Sequence, residues 1–138
     1  MSKNNPFSRQ KDHELDRERL IPLPLNKLPE VSTIEILILD GRGALEGMKI
    51  LDDAPHKLVE GQVAQDIANL FRQLPSGAPA RCHTPPFGLR FYLENGLQVQ
   101  CSICWKCNNI CGDFQYHFDA ENSISQSLLT LLSTLSNC

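Results

Sequence analysis

Six cysteines stand in a chain of 138 residues. Four of them, Cys101, Cys104, Cys107 and Cys111, follow the spacing C-x2-C-x2-C-x3-C, which is that of ligands to a bacterial iron–sulfur cluster. Gly112 stands where a proline usually follows the fourth ligand, and no second cysteine run completes a two-cluster protein. Zinc is the stronger metal reading. Cys104 and Cys107 have the C-x2-C spacing of a zinc knuckle, and Cys82-His83 offers a sulfur and a nitrogen from an upstream segment. Zinc takes such ligands in a tetrahedral shell. Cys82, His83, Cys104 and Cys107 are therefore the candidate metal ligands, although adjacent residues such as Cys82 and His83 rarely chelate together. The same thiols can also act without metal. Cys107 with His83 is a nucleophile–base pair for which the sequence identifies no orienting group or oxyanion hole.

These residues must be positioned by a hairpin, and its register can be derived. Asn95-Gly96 lies between two apolar runs. A two-residue turn would set the apolar face of one strand against the polar face of the other. A three-residue loop, Glu94-Asn95-Gly96, with Gly96 in the left-handed position of a G1 bulge, restores the match. Leu93 then faces Leu97, Phe91 faces Val99, Leu89 faces Cys101 and Phe87 faces Ile103. Arg90, Tyr92, Gln98, Gln100 and Ser102 share the other face. Cys101 falls on the core face and Cys104 on the opposite one, because successive strand side chains alternate. One iron cluster cannot collect both, so an iron–sulfur cofactor is not expected. Cys101 reads as a small buried hydrophobe, Trp105 shares its parity, and Cys138 at the chain end is incidental. If pairing continued, Cys107 would come opposite His83. Pro85 and Pro86 must bulge that end of the ladder, since proline has no N–H to donate.

The rest of the chain supplies a frame. Residues 1–30 are polar and poor in periodicity and predict a mobile arm. It ends in an extended strap at Ile21-Pro22-Leu23-Pro24-Leu25, where proline disfavours helix. The domain proper is expected over residues 31–138. Ser32–Asp40 alternates as a strand with both faces at least partly covered, and Met48–Leu51 could form a short one. Asp53 could cap a helix whose apolar face carries Val59, Val63, Ile67, Leu70, Phe71 and Leu74, with Gly61 inside it. Pro75–Pro79 stops that helix. Arg81–Phe118 predicts a three-stranded meander, with Phe114, Tyr116 and Phe118 turned inward on its last strand. Ser123 with Gln126 forms a capping box, and Ile124, Leu128, Leu131, Leu132 and Leu135 form an apolar stripe. The expected fold is α+β: an antiparallel sheet, made of the meander plus an N-terminal strand, packed by two helices.

Composition excludes some functions. The net charge of −3 and the absence of a basic stripe argue against nucleic acid. Arg17 and Arg19 are interleaved with Asp16 and Glu18. No apolar run approaches the ~18–20 residues of a membrane span, and the first twenty residues lack the apolar stretch of a signal peptide. A soluble cytoplasmic protein with reduced thiols is the expectation. His13 falls in the arm, His56 in the first turn of a helix and His117 on an exposed strand face, all as solvated residues. Asp52, Asp53, Asp119 and Glu121 read as turn and cap residues, and no carboxylate pair has acid–base spacing. Gly41-Arg42-Gly43 lacks the rest of a phosphate loop.

The segment Arg81-Cys82-His83-Thr84-Pro85-Pro86-Phe87-Gly88-Leu89-Arg90, followed by Ser102-Ile103-Cys104-Trp105-Lys106-Cys107-Asn108-Asn109, resembles a family of small uncharacterised bacterial proteins. These carry a C-x-x-P-x-x-G-[IL]-R segment and then a hairpin into an I-C-x-x-C strand. Gly47-Met48-Lys49-Ile50-Leu51-Asp52 before a helix is also similar to theirs, so the resemblance covers residues 45–136. Family members often have Arg-His where this chain has Pro86-Phe87. The resemblance includes Cys82, Cys104 and Cys107 and leaves out Cys101 and Cys111. It implies a common fold and no particular reaction.

Two functional readings follow, neither with an assigned catalytic residue. One is a non-enzymatic protein that binds a protein partner through the sheet face of Arg90, Tyr92, Gln98 and Gln100. The alternative is a zinc-binding or thiol-dependent protein that uses Cys82, Cys104 and Cys107.

Overall fold

Val31–Ile38 forms the first strand, β1, in the computed structural model, which describes residues 23–40, 54–80 and 82–137. Ile34 and Ile36 are fully buried on one face, and Glu35 and Leu37 lie on the other. The remaining strands are β2 (His56–Glu60), β3 (Phe87–Leu93), β4 (Gln98–Cys104), β5 (Asn109–Gly112) and β6 (Tyr116–His117). They form one six-stranded antiparallel sheet in the order β2-β1-β3-β4-β5-β6. The helices α1 (Gln62–Arg72) and α2 (Ser123–Ser136) pack on one face and on each other. The fold is α+β, as the sequence predicts, with more strands than the meander implied.

The β3–β4 hairpin has the derived register. Phe91 pairs with Val99, Leu89 with Cys101 and Phe87 with Ile103. The Leu93 N–H donates to the Leu97 carbonyl at 2.8 Å, closing the loop Glu94-Asn95-Gly96. Gly96 has φ of 91°, which only glycine adopts without strain. The Asn95 side chain accepts from the Leu97 N–H at 2.9 Å.

Two expectations are corrected. The helix predicted from Asp53 to Leu74 is split: its front half is the edge strand β2, and α1 begins only at Gln62. Val59 lies opposite Ile34 on β1, so its burial comes from strand alternation and its spacing to Val63 is coincidental. Gly61 is not inside the helix but at its start, with φ of 69°, and this backbone conformation turns the chain from strand to helix. His56 is therefore on a strand, 3.3 Å from Glu35. The second correction is the meander. The turn at 105–108 divides the segment expected as its last two strands into β4, β5 and the two-residue β6. The proposed strand at Met48–Leu51, the Asp53 cap, the Gly41-Arg42-Gly43 segment, Cys138 and residues 1–22 lie outside the described residues.

From Leu23 onward the strap belongs to the packed structure. Leu23 bridges to Phe114, and Leu25 and Leu28 are buried. Arg72 at the end of α1 fastens this segment, its Nε donating to the Leu28 carbonyl at 2.9 Å and its Nη2 to that of Pro29 at 2.8 Å. The core centres on Phe71, Phe91 and Phe114, with ring centroids 5.0–6.3 Å apart in tilted and edge-on contacts, the geometries aromatic pairs prefer. In α2 the N-cap is Asn122 instead of Ser123, its side chain accepting from the Ile124 N–H at 2.9 Å. Gln126 turns back to the Ala120 carbonyl. Leu128 and Leu132 are the buried centre of the α2 stripe.

Candidate functional site

Chemistry gathers on the sheet face away from the helices, where β4 turns into β5. Cys104 ends β4 and Asn109 begins β5, paired across a four-residue turn that contains Trp105, Lys106, Cys107 and Asn108. The turn is anchored by Trp105, whose indole N–H donates to the Ser125 carbonyl of α2 at 2.8 Å and whose ring meets Phe87 and Phe118 edge-on. Asn108 has φ of 41°, and asparagine is among the residues that tolerate this region best. Cys104 is fully buried, and its sulfur accepts the Cys107 N–H at 3.1 Å.

The segment after α1 crosses this face as a strap. Its hydrogen bonds go largely to the sheet it crosses, because it has no strand partner for most of its length. The Gly77 N–H donates to the His117 carbonyl, the Asn108 amide donates to Ala78, and His117 Nε2 reaches the Ala80 carbonyl at 3.3 Å. Asn109 Nδ2 donates to the Cys82 carbonyl at 2.6 Å. His83 Nδ1 lies 2.6 Å from Asn109 Oδ1 and its Nε2 lies 2.6 Å from Ser102 Oγ. The first contact makes Nδ1 the protonated nitrogen, since an amide oxygen only accepts. In the neutral ring, Nε2 then accepts from the Ser102 hydroxyl.

Just before His83 the strap brings Cys82 onto the turn, where it forms a disulfide with Cys107, with Cα atoms 5.7 Å apart. The Thr84 hydroxyl lies 3.6 Å from Cys104 Sγ and 4.0 Å from Cys107 Sγ. One threonine hydroxyl thus touches the Cys104 sulfur and one sulfur of the disulfide. The cysteines here differ in accessibility: Cys82 is exposed, whereas Cys107 is 1% and Cys104 0% exposed.

Of the four predicted metal ligands, the structure brings Cys82, Cys104 and Cys107 together and turns the His83 ring to Ser102 and Asn109. Among the described residues, no group of three or more His, Cys, Asp or Glu side chains is arranged to hold a metal ion. Cys82 and Cys107 are paired, where six reduced thiols or ligands were expected. Cys107 faces Cys82, not His83, because the ladder ends at Phe87 and the Pro86 carbonyl turns to the Leu39 N–H. Cys101 is fully buried opposite Leu89, and burial pushes its thiol well up from the ordinary range. Cys111, across from Ser102, is half-buried, with its thiol raised by burial and by the neighbouring Cys104.

The second predicted site is a closed network. Arg90 is only 9% exposed. Its Nη1 donates to Glu35 Oε1 at 2.8 Å and its Nε to Gln100 Oε1 at 2.7 Å. The Tyr92 hydroxyl donates to the same Glu35 oxygen at 2.7 Å. Gln98 is exposed at the hairpin end. The four residues share a face, but their charged member is bonded inward.

Ser102 and Asn109 were not among the candidate residues. Ser102 carried a signal, since the hairpin register puts it on the polar face beside Gln100. Asn109 carried none, because its register depends on a turn whose length the cysteine spacing does not give. Comparison of the chain with family models, curated proteins and solved structures gave no match, so the functional reading rests on the site itself.

Proposed function

We propose that the chain is a thiol-dependent protein whose working group is the Cys82–Cys107 disulfide, reversibly exchanged with external thiols. The observation that carries this reading is the asymmetry of the bond. One sulfur belongs to an exposed residue of the strap and the other to a buried residue of a turn, with a third cysteine beside it. Exposed disulfides are the ones that exchange readily, while inaccessible ones serve as staples. In the exchange, an incoming thiolate attacks the Cys82 sulfur. A mixed disulfide forms and the Cys107 sulfur leaves with the electron pair. A second external thiol completes the two-electron reduction by attacking the mixed disulfide and freeing Cys82. Both cysteines end as thiols, and the two external thiols end as one disulfide.

The polar-face reading draws less support, because Arg90 is buried and spends its hydrogen bonds on Glu35 and Gln100.

The test is a redox titration of the native protein in glutathione buffers, with alkylation and peptide mapping. Cys82 and Cys107 are expected to convert together as a two-electron couple with a potential above about −300 mV, the region structural disulfides do not reach. Cys82→Ser and Cys107→Ser should each abolish it. A pair that resists reduction until the protein unfolds, or that never forms in air, overturns the reading.

A further inference from the structure

The disulfide exchange leaves Cys104 without a role, although its sulfur accepts the N–H of Cys107 itself. We infer that Cys104 is the internal nucleophile of a three-cysteine switch that moves the disulfide from Cys82–Cys107 to Cys104–Cys107 and sets Cys82 free. This inference rests on the proposed reactivity of the Cys82–Cys107 bond.

Position supports it first. The Cys107 backbone N–H is 3.1 Å from Cys104 Sγ, and the Thr84 hydroxyl contacts both the Cys104 and the Cys107 sulfur. Cys104 and Cys107 are separated by Trp105 and Lys106 at a hairpin turn, the C-x2-C arrangement in which exchanging thiols occur. Burial then determines what Cys104 can attack. At 0% exposure it is shielded from thiols in solution. Of the two disulfide sulfurs, the one that shares a contact with it through Thr84 is that of Cys107, whose own N–H is directed at the atom that carries negative charge during attack.

The step is redox-neutral. The Cys104 thiol passes its proton to solvent through the hydroxyl of the exposed Thr84, 3.6 Å away, and its sulfur attacks Cys107 Sγ. A Cys104–Cys107 bond forms as the Cys82–Cys107 bond breaks, and the electron pair leaves with Cys82, which takes a proton from solvent. No oxidant or reductant is consumed. The product carries an inaccessible disulfide in the turn and a free thiol on the exposed strap, still held through its carbonyl by Asn109. The protein would thus present a nucleophilic Cys82 without being reduced.

The experiment uses the full chain, air-oxidised and then kept free of oxygen and reductant at about pH 8, where a growing fraction of thiols is ionised. Peptide mapping at the start establishes the Cys82–Cys107 bond; its absence there is the failure of the preceding reading, not of this one. N-ethylmaleimide is then added to the native protein and sites are mapped over time. The expected result is label accumulating on Cys82 while one disulfide per chain persists, now between Cys104 and Cys107. Cys104→Ala should slow Cys82 labelling by about tenfold or more, while the Cys82–Cys107 pair still forms and still yields to dithiothreitol. Cys104→Val serves as the second variant should alanine unfold the protein, and Cys101→Ala should leave the labelling rate unchanged. The inference is overturned if wild-type Cys82 stays unlabelled with its bond intact. It is also overturned if Cys82 is labelled equally fast without Cys104.

Discussion

Asn109 grips Cys82 by its backbone: Nδ2 donates to the Cys82 carbonyl at 2.6 Å, and the same amide's oxygen lies 2.6 Å from the His83 ring next door. Asn109 is 6% exposed. One buried amide therefore fixes two consecutive residues of a strap that has little regular pairing of its own. Asn109→Ala removes both bonds and strands the His83 Nδ1–H near the sheet. The expected loss is about 1–3 kcal/mol, the range for leaving buried polar groups unsatisfied. Dithiothreitol should also reduce the Cys82–Cys107 bond faster. Urea melts and the rate of thiol release measure the two effects, and an unchanged release rate would mean that the disulfide alone holds the strap.

The disulfide should also contribute to stability. It joins residues 25 apart in sequence, and closing a loop of that size in the unfolded chain corresponds to roughly 3 kcal/mol. Reductant is expected to lower the melting temperature of the wild type and to leave that of the Cys82→Ser, Cys107→Ser double variant unmoved. Equal responses of the two proteins would show that the bond adds nothing to the folded state.

The contrast between hairpin and strap shows what the sequence could reveal. The β3–β4 register was legible because alternation on two strands and one glycine-containing loop over-determine it: a shift by one residue would have put Phe91 opposite a polar side chain. From that register the burial of Cys101 and the separation of Cys101 from Cys104 followed. The path of residues 76–80 and 82–86 was not legible. Their bonds run from side chains such as Asn108, Asn109 and His83 to backbone or to one another, and such contacts leave no periodicity. The α1 boundary was misread for a related reason. Val59 and Val63 satisfy helical spacing, and only the positive φ of Gly61 and the pairing of β2 with β1 separate the two elements.

Two glycines make that strap and that boundary testable. At Gly77 an added Cβ would lie 2.4 Å from the Phe118 carbonyl oxygen, so backbone must move. At Gly61 there is nothing within 4 Å, but φ is 69°. Gly61→Ala should cost about 1–3 kcal/mol, because φ of 69° with ψ of −147° is backbone essentially reserved for glycine. Gly77→Ala should cost a similar amount, about 1–3 kcal/mol, as overpacking does. Thermal melts of the two variants measure each loss against the wild type. A Gly77→Ala variant that melts with the wild type would show that the strap does not sit so close to Phe118.

The cysteines on the two faces of β4 and β5 should answer differently to serine. Cys101 is fully buried opposite Leu89. Cys101→Ser is expected to cost about 1–3 kcal/mol if the hydroxyl finds no partner, and Cys101→Ala less. Cys111 is half-buried on the other face, and Cys111→Ser should stay within about 0.5 kcal/mol of wild type. Cys104 is on the Cys111 face but is itself fully buried, so Cys104→Ser should cost more than Cys111→Ser. Denaturant melts of the three variants should rank Cys101→Ser and Cys104→Ser below Cys111→Ser. The reverse order would place the core on the wrong side of β4.

Glu35 should give the protein an acid-dependent term. Burial would raise its carboxyl, but hydrogen bonds from Tyr92 and Arg90, with the Arg90 charge and His56 at 3.3 Å, outweigh burial and hold it below the ordinary carboxylate range. A carboxyl held lower in the folded state than in the unfolded chain stabilises the fold at pH above the unfolded value, about 4.3 for glutamate. That contribution disappears as pH falls from there through the lower folded value, where both states become protonated. Glu35→Gln keeps the shape and removes the titration. At neutral pH it should destabilise by about 1–2 kcal/mol, the lower part of the range for hydrogen bonds to a charged group because the side chain is partly exposed. The gap between variant and wild type should narrow steadily as pH is lowered from about 5 to about 3. Tyr92→Phe, which removes one donor and leaves the carboxyl, should show a smaller loss of about 1 kcal/mol at neutral pH. Urea melts across this pH range measure all three proteins. A Glu35→Gln difference that stayed constant with pH would mean that the Glu35 carboxyl titrates alike in the folded and unfolded chain, and that the Arg90–Tyr92 network does not favour its charge.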